Sequence, residues 1–277
     1  PAGVFGVGAA VTKPACAEPP SNYSPLKVPG TVVKDIDGLE AGTNHGRAAD
    51  KYVYSASVVN QWLEKPSTQP KNKKIVFVTF DDGPTTKFTG EQLDNLEKAG
   101  ARATFFMIPP QMRDVGKNML SRSLKMGNAL AIHSYSHDYK YLYHGSAANK
   151  AKHISCDWDW AMAQSRAILG SNYFSSAFRY PGGHMSWTNL SQADATLAKR
   201  GVGWIDWNAM SGDADAQRPT TVPGYLQMVK KSIKESNNPN VVVILNHDTY
   251  GKQMTAKAMP SILAWLKSQG YEFGVIA

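Results

Sequence analysis

Three short clusters, far apart in the chain, carry side chains suited to hydrolysis: Thr79-Phe80-Asp81-Asp82-Gly83, His133-Ser134-Tyr135-Ser136-His137 and Leu245-Asn246-His247. A carboxylate and two imidazoles four residues apart can hold a divalent metal, leaving the adjacent carboxylate and the third imidazole for proton transfer. Neighbouring residues of an extended segment point to opposite sides, so Asp81 and Asp82 can divide these tasks. The set Asp82, His133 and His137 suits zinc or another transition divalent ion with open positions. Arg179-Tyr180-Pro181-Gly182-Gly183 adds a fixed cation and then backbone able to approach a ligand closely. Asp206-Trp207 offers a carboxylate near an aromatic wall. Taken singly, each cluster also fits a blander position. Asp81 to Pro84 reads as a turn, the histidine pair as two surface imidazoles, Arg179 as a surface cation, Asp206 as a strand end and His247 as a capped core histidine.

For these groups to meet, the elements around them must bring distant segments to one place. From Lys74 onward, β-rich apolar runs alternate with helical segments, several of which stop at glycine. Strands are expected over 75–80, 103–108, 129–132, 176–180, 203–207, 241–245 and 271–276, and helices over 92–99, 117–126, 154–169, 190–200, 224–235 and 261–268. About seven parallel strands, with no glycine-rich dinucleotide fingerprint, predict an α/β fold built as a distorted (β/α) barrel. Chemistry in such barrels gathers at the C-terminal ends of strands. Asp81 and Asp82, His133, Arg179, Asp206 and His247 all fall at or just after predicted strand ends.

Residues 1–70 read as an N-terminal extension of the catalytic unit at 71–277. Pro1, Pro14, Pro19, Pro20, Pro25 and Pro29 deny helix and central strand, which predicts a segment extended on a surface or mobile. Ala48, Tyr52, Ala56, Val59 and Leu63 then recur at three- and four-residue steps, the pattern of one amphipathic helix packed on the barrel. Cys16 and Cys156 are compatible with a disulfide or with two free thiols. With 277 residues, 42% of them hydrophobic, the chain can bury one full-sized core. A net charge of +8 favours a negatively charged partner such as nucleic acid, an anionic membrane surface or an acidic wall polymer. Lys71, Lys73 and Lys74 read as a solvated loop, and no nucleic-acid recognition motif is present. No stretch approaches the ~18 to 20 apolar residues of a membrane span. A start at Pro1 rather than Met fits removal of a leader or tag, as in an exported protein. No protein partner is implied.

In order along the chain, Thr-Phe-Asp-Asp-Gly, His-x3-His, Arg-x-Pro, a strand-end Asp with a nearby Trp, and Leu-x-His resemble the five motifs of the polysaccharide deacetylases, carbohydrate esterase family four. The resemblance covers roughly Lys74 to Ala277, and the stretch from Asp206 to Asp213 looks like the branch acting on bacterial peptidoglycan. It implies a metal-dependent hydrolase that releases acetate from N-acetyl groups of a glycan, with peptidoglycan amino sugars first and chitin or chitooligosaccharides second. Acetylxylan esterase and a catalytically silent glycan-binding protein are the further alternatives. Residue by residue, it implies Asp82, His133 and His137 as metal ligands, with zinc favoured, and Asp81 as general base oriented by Arg179. His247 is implied as general acid held by Asp206, with Asp213 the rival partner, and the Gly182 N–H as an oxyanion donor where many relatives have tyrosine. An amide substrate needs that acid, because an amine leaves poorly unless protonated. Two departures stand out. Gly127-Asn128-Ala129-Leu130-Ala131-Ile132 occupies the place of the family's Gly-His-Glu-Ile-Gly-Asn, which alters the support of His133. Glycine at 182 removes a wall that His184 and Trp187 either fill or leave open by lying at the surface. The wall substrate implies a periplasmic, cell-wall-associated or secreted location.

Overall fold

The uninterrupted apolar and β-branched run from Ile75 to Phe80 forms the centre of a parallel sheet, as a strand covered on both faces requires. The structure, a computed structural model, describes residues 8–277, so Pro1 of the proline-rich segment lies outside the described residues. Its strands are β1 (Val53–Tyr54), β2 (Ile75–Asp81), β3 (Ala103–Met107), β4 (Ala129–Ile132), β5 (Ala177–Phe178), β6 (Gly203–Trp204), β7 (Ala209–Met210), β8 (Val241–His247), β9 (Glu272–Phe273) and β10 (Val275–Ile276). Its helices are α1 (Ala56–Glu64), α2 (Thr86–Ala99), α3 (Lys117–Lys125), α4 (Tyr139–Tyr143), α5 (Ala147–Leu169), α6 (Ser191–Lys199), α7 (Val222–Glu235) and α8 (Gln253–Ser268).

The main sheet runs β6-β5-β4-β3-β2-β8-β7, with β9 also paired to β2. Its neighbours are parallel throughout. β6 and β7 follow each other in the chain yet occupy opposite ends of this order. The link from Trp204 to Ala209 can reach at most about 18 Å, so the sheet must curl until its ends approach. This is the expected distorted barrel of parallel strands.

Side chains alternate between the two faces of each strand. On β2, Val76, Val78 and Phe80 join Phe105, Leu130, Ile132, Val242 and Ile244 in the core beneath the helices. Ile75 and Phe77 instead share the barrel interior with Phe106, Ala131, Ala177, Val241 and Val243. Ala56 and Val59 of α1 belong to that interior cluster and pack against it. The same inward rows continue to Asp81, His133, Arg179 and His247 by steps of two residues. In register, Asp81 lies beside His247 on the adjoining strand. One end of the interior is therefore oily and the other carries the polar groups.

Several boundaries differ from expectation for tertiary reasons. The expected single helix over 48–63 is broken, because Val53–Tyr54 pairs with Val275–Ile276 and only afterwards does Ser55 cap α1. The same pairing draws β10 away from β9, splitting the expected strand 271–276. β7 was not expected, being only Ala209–Met210, and its partner is β8. α8 starts at Gln253 and continues through Pro260, since Ala256, Met259, Ile262, Leu263 and Leu266 keep one buried face across it. Cys16 is bonded to Cys156 on α5, with Cα atoms 6.1 Å apart. No helix among the described residues is long and apolar enough to cross a membrane.

Phe80 and Phe105 are fully buried and stack with ring centres 5.2 Å apart. Phe105→Ala is expected to lower the unfolding free energy by about 3–5 kcal/mol. The measurement is the fall in urea midpoint followed by circular dichroism.

Candidate active site

The carboxylate and imidazole groups meet where the chain leaves β2 and β4. Asp82, Ser134 and His137 hold φ angles of 76°, 118° and 47°, a region that residues with a Cβ seldom adopt. The turn after Asp82 is closed by contact with Asp248, and a Cβ at Gly83 would fall 2.5 Å from an Asp248 oxygen. Such strained backbone persists only where its surroundings impose it.

Asp82 Oδ1 lies 3.3 Å from His133 Nε2 and 3.2 Å from His137 Nε2. The three candidate ligand atoms all fall within 4.8 Å of one another. Asp82 Oδ1 is buried and has no hydrogen bond of regular geometry among the described residues. His133 Nδ1 donates to the Arg179 carbonyl at 2.8 Å, which fixes the ring so that Nε2 faces Asp82. Burial alone would push the Asp82 carboxyl up, but His133 and His137 hold it well below the usual carboxylate range. A buried, unsatisfied carboxylate oxygen facing two imidazole nitrogens fits a divalent cation with mixed oxygen and nitrogen ligands.

Asp81 is held from the other side. The Arg179 guanidinium donates to Asp81 Oδ1 at 2.9 Å, Thr79 Oγ1 at 2.7 Å, the Ile205 carbonyl at 3.1 Å and the Asp206 carbonyl at 3.0 Å. It is fully buried, with its carbon 4.2 Å from the Phe106 ring centre and 5.4 Å from that of Trp207. The second Asp81 oxygen points toward the cluster, 3.7 Å from His133 Nε2.

His247 completes the group, with Nε2 3.9 Å from Asp82 Oδ2. Its partner corrects the expectation. His247 Nδ1 donates to Asp213 Oδ1 at 2.8 Å, and the His247 backbone N–H donates to Asp213 Oδ2 at 2.8 Å. Asp206 does not reach His247, and its carboxylate accepts instead from the backbone N–H groups of His184 and Met185 at 2.8 and 2.9 Å. The reason is sheet order. Asp213 follows β7, which pairs directly with β8, whereas Asp206 follows β6 at the far end. Burial opposes charge on His247, but Asp213, followed by Asp81 and Asp82, outweighs it and pushes the imidazole up to about 9.

Beside Gly182, the missing wall is replaced in part. A Cβ there would lie 3.2 Å from both Tyr139 Oη and Trp187 Nε1, and the Tyr139 ring is 5.5 Å from that of His137. Among the described residues none accepts a hydrogen bond from the Gly182 N–H. His184 is held elsewhere, stacked on Trp204 at 3.7 Å and bonded to Asp194 at 2.8 Å.

Two residues that support the site were not singled out by sequence. Asp157 on α5 is buried and accepts from the Ser134 hydroxyl and Tyr135 N–H at 2.7 Å, and from the Ser136 N–H and hydroxyl at 2.9 and 2.6 Å. It thereby holds the loop between His133 and His137. Its signal was a carboxylate three residues after Ile154 and four before Ala161, on the buried face of the helix. Asp248 is buried and bonded by the Thr89 hydroxyl at 2.6 Å, and burial pushes it up to about 7.

The family model described as polysaccharide deacetylase matches residues 68–199. A bifunctional xylanase/deacetylase of Pseudobutyrivibrio xylanivorans is 30% identical over 76% of this chain, which spans 31% of that protein. The YheN protein of Bacillus subtilis is 31% identical over 75% of this chain and 69% of its own length. A peptidoglycan-N-acetylglucosamine deacetylase of Bacillus cereus is 28% identical over 73% of this chain and 69% of its own. Among solved structures, a Streptococcus mutans CE4 esterase superposes with a TM-score of 0.78 at 38% identity, covering 88% of this chain and all of that one.

Asp157→Ala removes the acceptor of two backbone N–H groups in the His133–His137 loop. It is expected to weaken divalent-cation binding at Asp82, His133 and His137 by about 10- to 100-fold. Calorimetric titration of zinc into the metal-free variant and parent measures the difference.

Proposed function

The chain belongs to the polysaccharide deacetylase family, and from that premise we propose that it hydrolyses the N-acetyl groups of peptidoglycan amino sugars, releasing acetate. The observation that carries this reading is a pair of proton carriers held in different ways around one cluster: Asp81 on Arg179, and His247 on Asp213. An ester needs little help from an acid, while an amide nitrogen must be protonated as it leaves. The name of the Bacillus cereus relative and the charge of +8, which suits an anionic wall polymer, support peptidoglycan over neutral chitin or xylan. Action on the wall implies export.

In this reading Asp82, His133 and His137 hold a divalent ion, for which we propose zinc, and such an ion when bound polarises the acetamide oxygen and acidifies water. Asp81 accepts the proton of the attacking water, with Arg179 holding its other oxygen so that Oδ2 faces the cluster. The Gly182 N–H donates to the oxyanion as charge develops on the carbonyl oxygen. His247, charged through its Asp213 pair, gives its Nε2 proton to the departing amine. Tyr139 and Trp187, beside Gly182, present aromatic faces on which a sugar ring can stack.

Mass analysis of peptidoglycan fragments after incubation, with and without chelator, tests substrate and metal dependence together. The expected result is loss of acetyl groups, abolished by chelator and restored by zinc. Faster release from acetylated xylan would overturn the amide reading. Asp81→Asn is expected to lower kcat about 10²- to 10⁴-fold on the same fragments. The His247 imidazole is raised, so it keeps its proton through neutral pH and loses it as pH rises through about 9. The alkaline limb of kcat should lie there, and in Asp213→Asn it should move down toward the ordinary value of about 6.5.

A further inference from the structure

The extension brings side chains to the rim of this centre, and residues 8–30 lie wholly outside the span matched by the family model. The disulfide to α5 anchors the extension at Cys16, whose carbonyl also accepts from the Trp160 indole at 3.0 Å. Glu18 then accepts from the Leu26 N–H at 3.0 Å and from the Tyr135 hydroxyl, which ties residues 18–26 to the loop carrying His137. Arg113 gives a second tie, donating to the Ser24 carbonyl while its other nitrogens bond Gln164. Between these ties, the Tyr23 N–H donates to the Ser21 hydroxyl at 3.1 Å.

Ser21, Asn22 and Tyr23 line a cleft of about 300 Å³ that Asp82 and His137 also line, so the cleft opens directly onto the carboxylate and imidazole cluster. This volume is at the small end of ligand pockets and suits one sugar ring. Asn22 and Thr249 supply an amide and a hydroxyl, the neutral donors and acceptors that pyranose hydroxyls pair with. Tyr23 supplies an aromatic ring with a polar tip. Burial, with Asp114 and Tyr250 nearby, pushes its hydroxyl up, so it remains a neutral donor. The next residue beyond Thr249, Tyr250, is 77% exposed.

We propose that residues 21–23 form a sugar-binding subsite next to the reacting position, with Tyr23 as its stacking platform, so that the chain favours a polymeric glycan over a single amino sugar. The inference rests on the reading of the centre as a glycan deacetylase. It makes Tyr23 a specificity-determining residue supplied by the extension rather than by the barrel.

The test compares the full chain with Tyr23→Ala and Tyr23→Phe on β-1,4-linked N-acetylglucosamine, from the monosaccharide to the hexamer. Acetate release gives kcat and KM, and calorimetry gives Kd. Tyr23→Ala is expected to raise KM and Kd for the tetramer about tenfold. The monosaccharide should show a smaller penalty, kcat should change little, and Tyr23→Phe should recover most of the affinity. An equal penalty on monosaccharide and tetramer, or unchanged tetramer affinity, overturns the subsite. Should the parent release no acetate from any oligomer, the deacetylase reading fails on these substrates, while the Kd comparison still decides the subsite.

Discussion

The Arg179 guanidinium, with no exposed surface, is satisfied by four oxygens from two separate segments and lies near two aromatic rings. A buried cation is tolerable only when its donors and charge are met, and removing one partner of such a pair typically costs about 3–5 kcal/mol. Because the partners come from β2 and from the segment after β6, the curl of the sheet and the orientation of Asp81 depend on the same group. The Arg179 backbone extends the arrangement, since its carbonyl fixes the ring of His133. One residue thus sets the direction of the neighbouring carboxylate and the ring orientation of a candidate ligand.

Around that constraint, the parallel sheet separates two environments by the pleat alone. Residues of β2 facing the helices are apolar along the whole strand, while the inward row changes from Ile75 and Phe77 to Thr79 and Asp81. The oily end gives the barrel its stability, with α1 packed into it. The polar end can then hold groups in strained backbone, as at Asp82, Ser134 and His137. Asp157 stabilises that loop from beneath with four hydrogen bonds, and the extension braces it through Glu18 and Tyr135.

The two carboxylate–base pairs are built by different means. Asp81 is oriented by a cation that cannot give up its proton, which leaves one oxygen free to accept. His247 is paired with a carboxylate that is itself fully engaged: Asp213 also accepts from the Thr255 hydroxyl at 2.8 Å, and its carbonyl from the Lys252 ammonium at 2.6 Å. Such complete pairing keeps the imidazole upright and charged. The polarity of the two pairs is opposite, one suited to taking a proton and one to giving it.

Much of this was legible in the chain. Alternating strand and helix patterns led to the barrel, and the order and spacing of Asp81, Asp82, His133, His137, Arg179 and His247 led to one cluster of side chains, because each ends or follows a strand whose pattern is local. What required tertiary structure was contact between segments with no local signature. The two-residue strand Ala209–Met210 carries too little pattern to detect, yet its pairing with β8 makes Asp213, and not Asp206, the partner of His247. The break at Val53–Tyr54 comes from pairing with residues more than two hundred positions away. Likewise, sequence left Cys16 and Cys156 undecided and gave the proline-rich segment no place. Only the folded chain brings the two sulfurs together and carries Tyr23 to the cleft, because local periodicity records which face a residue shows but not which distant segment will meet it.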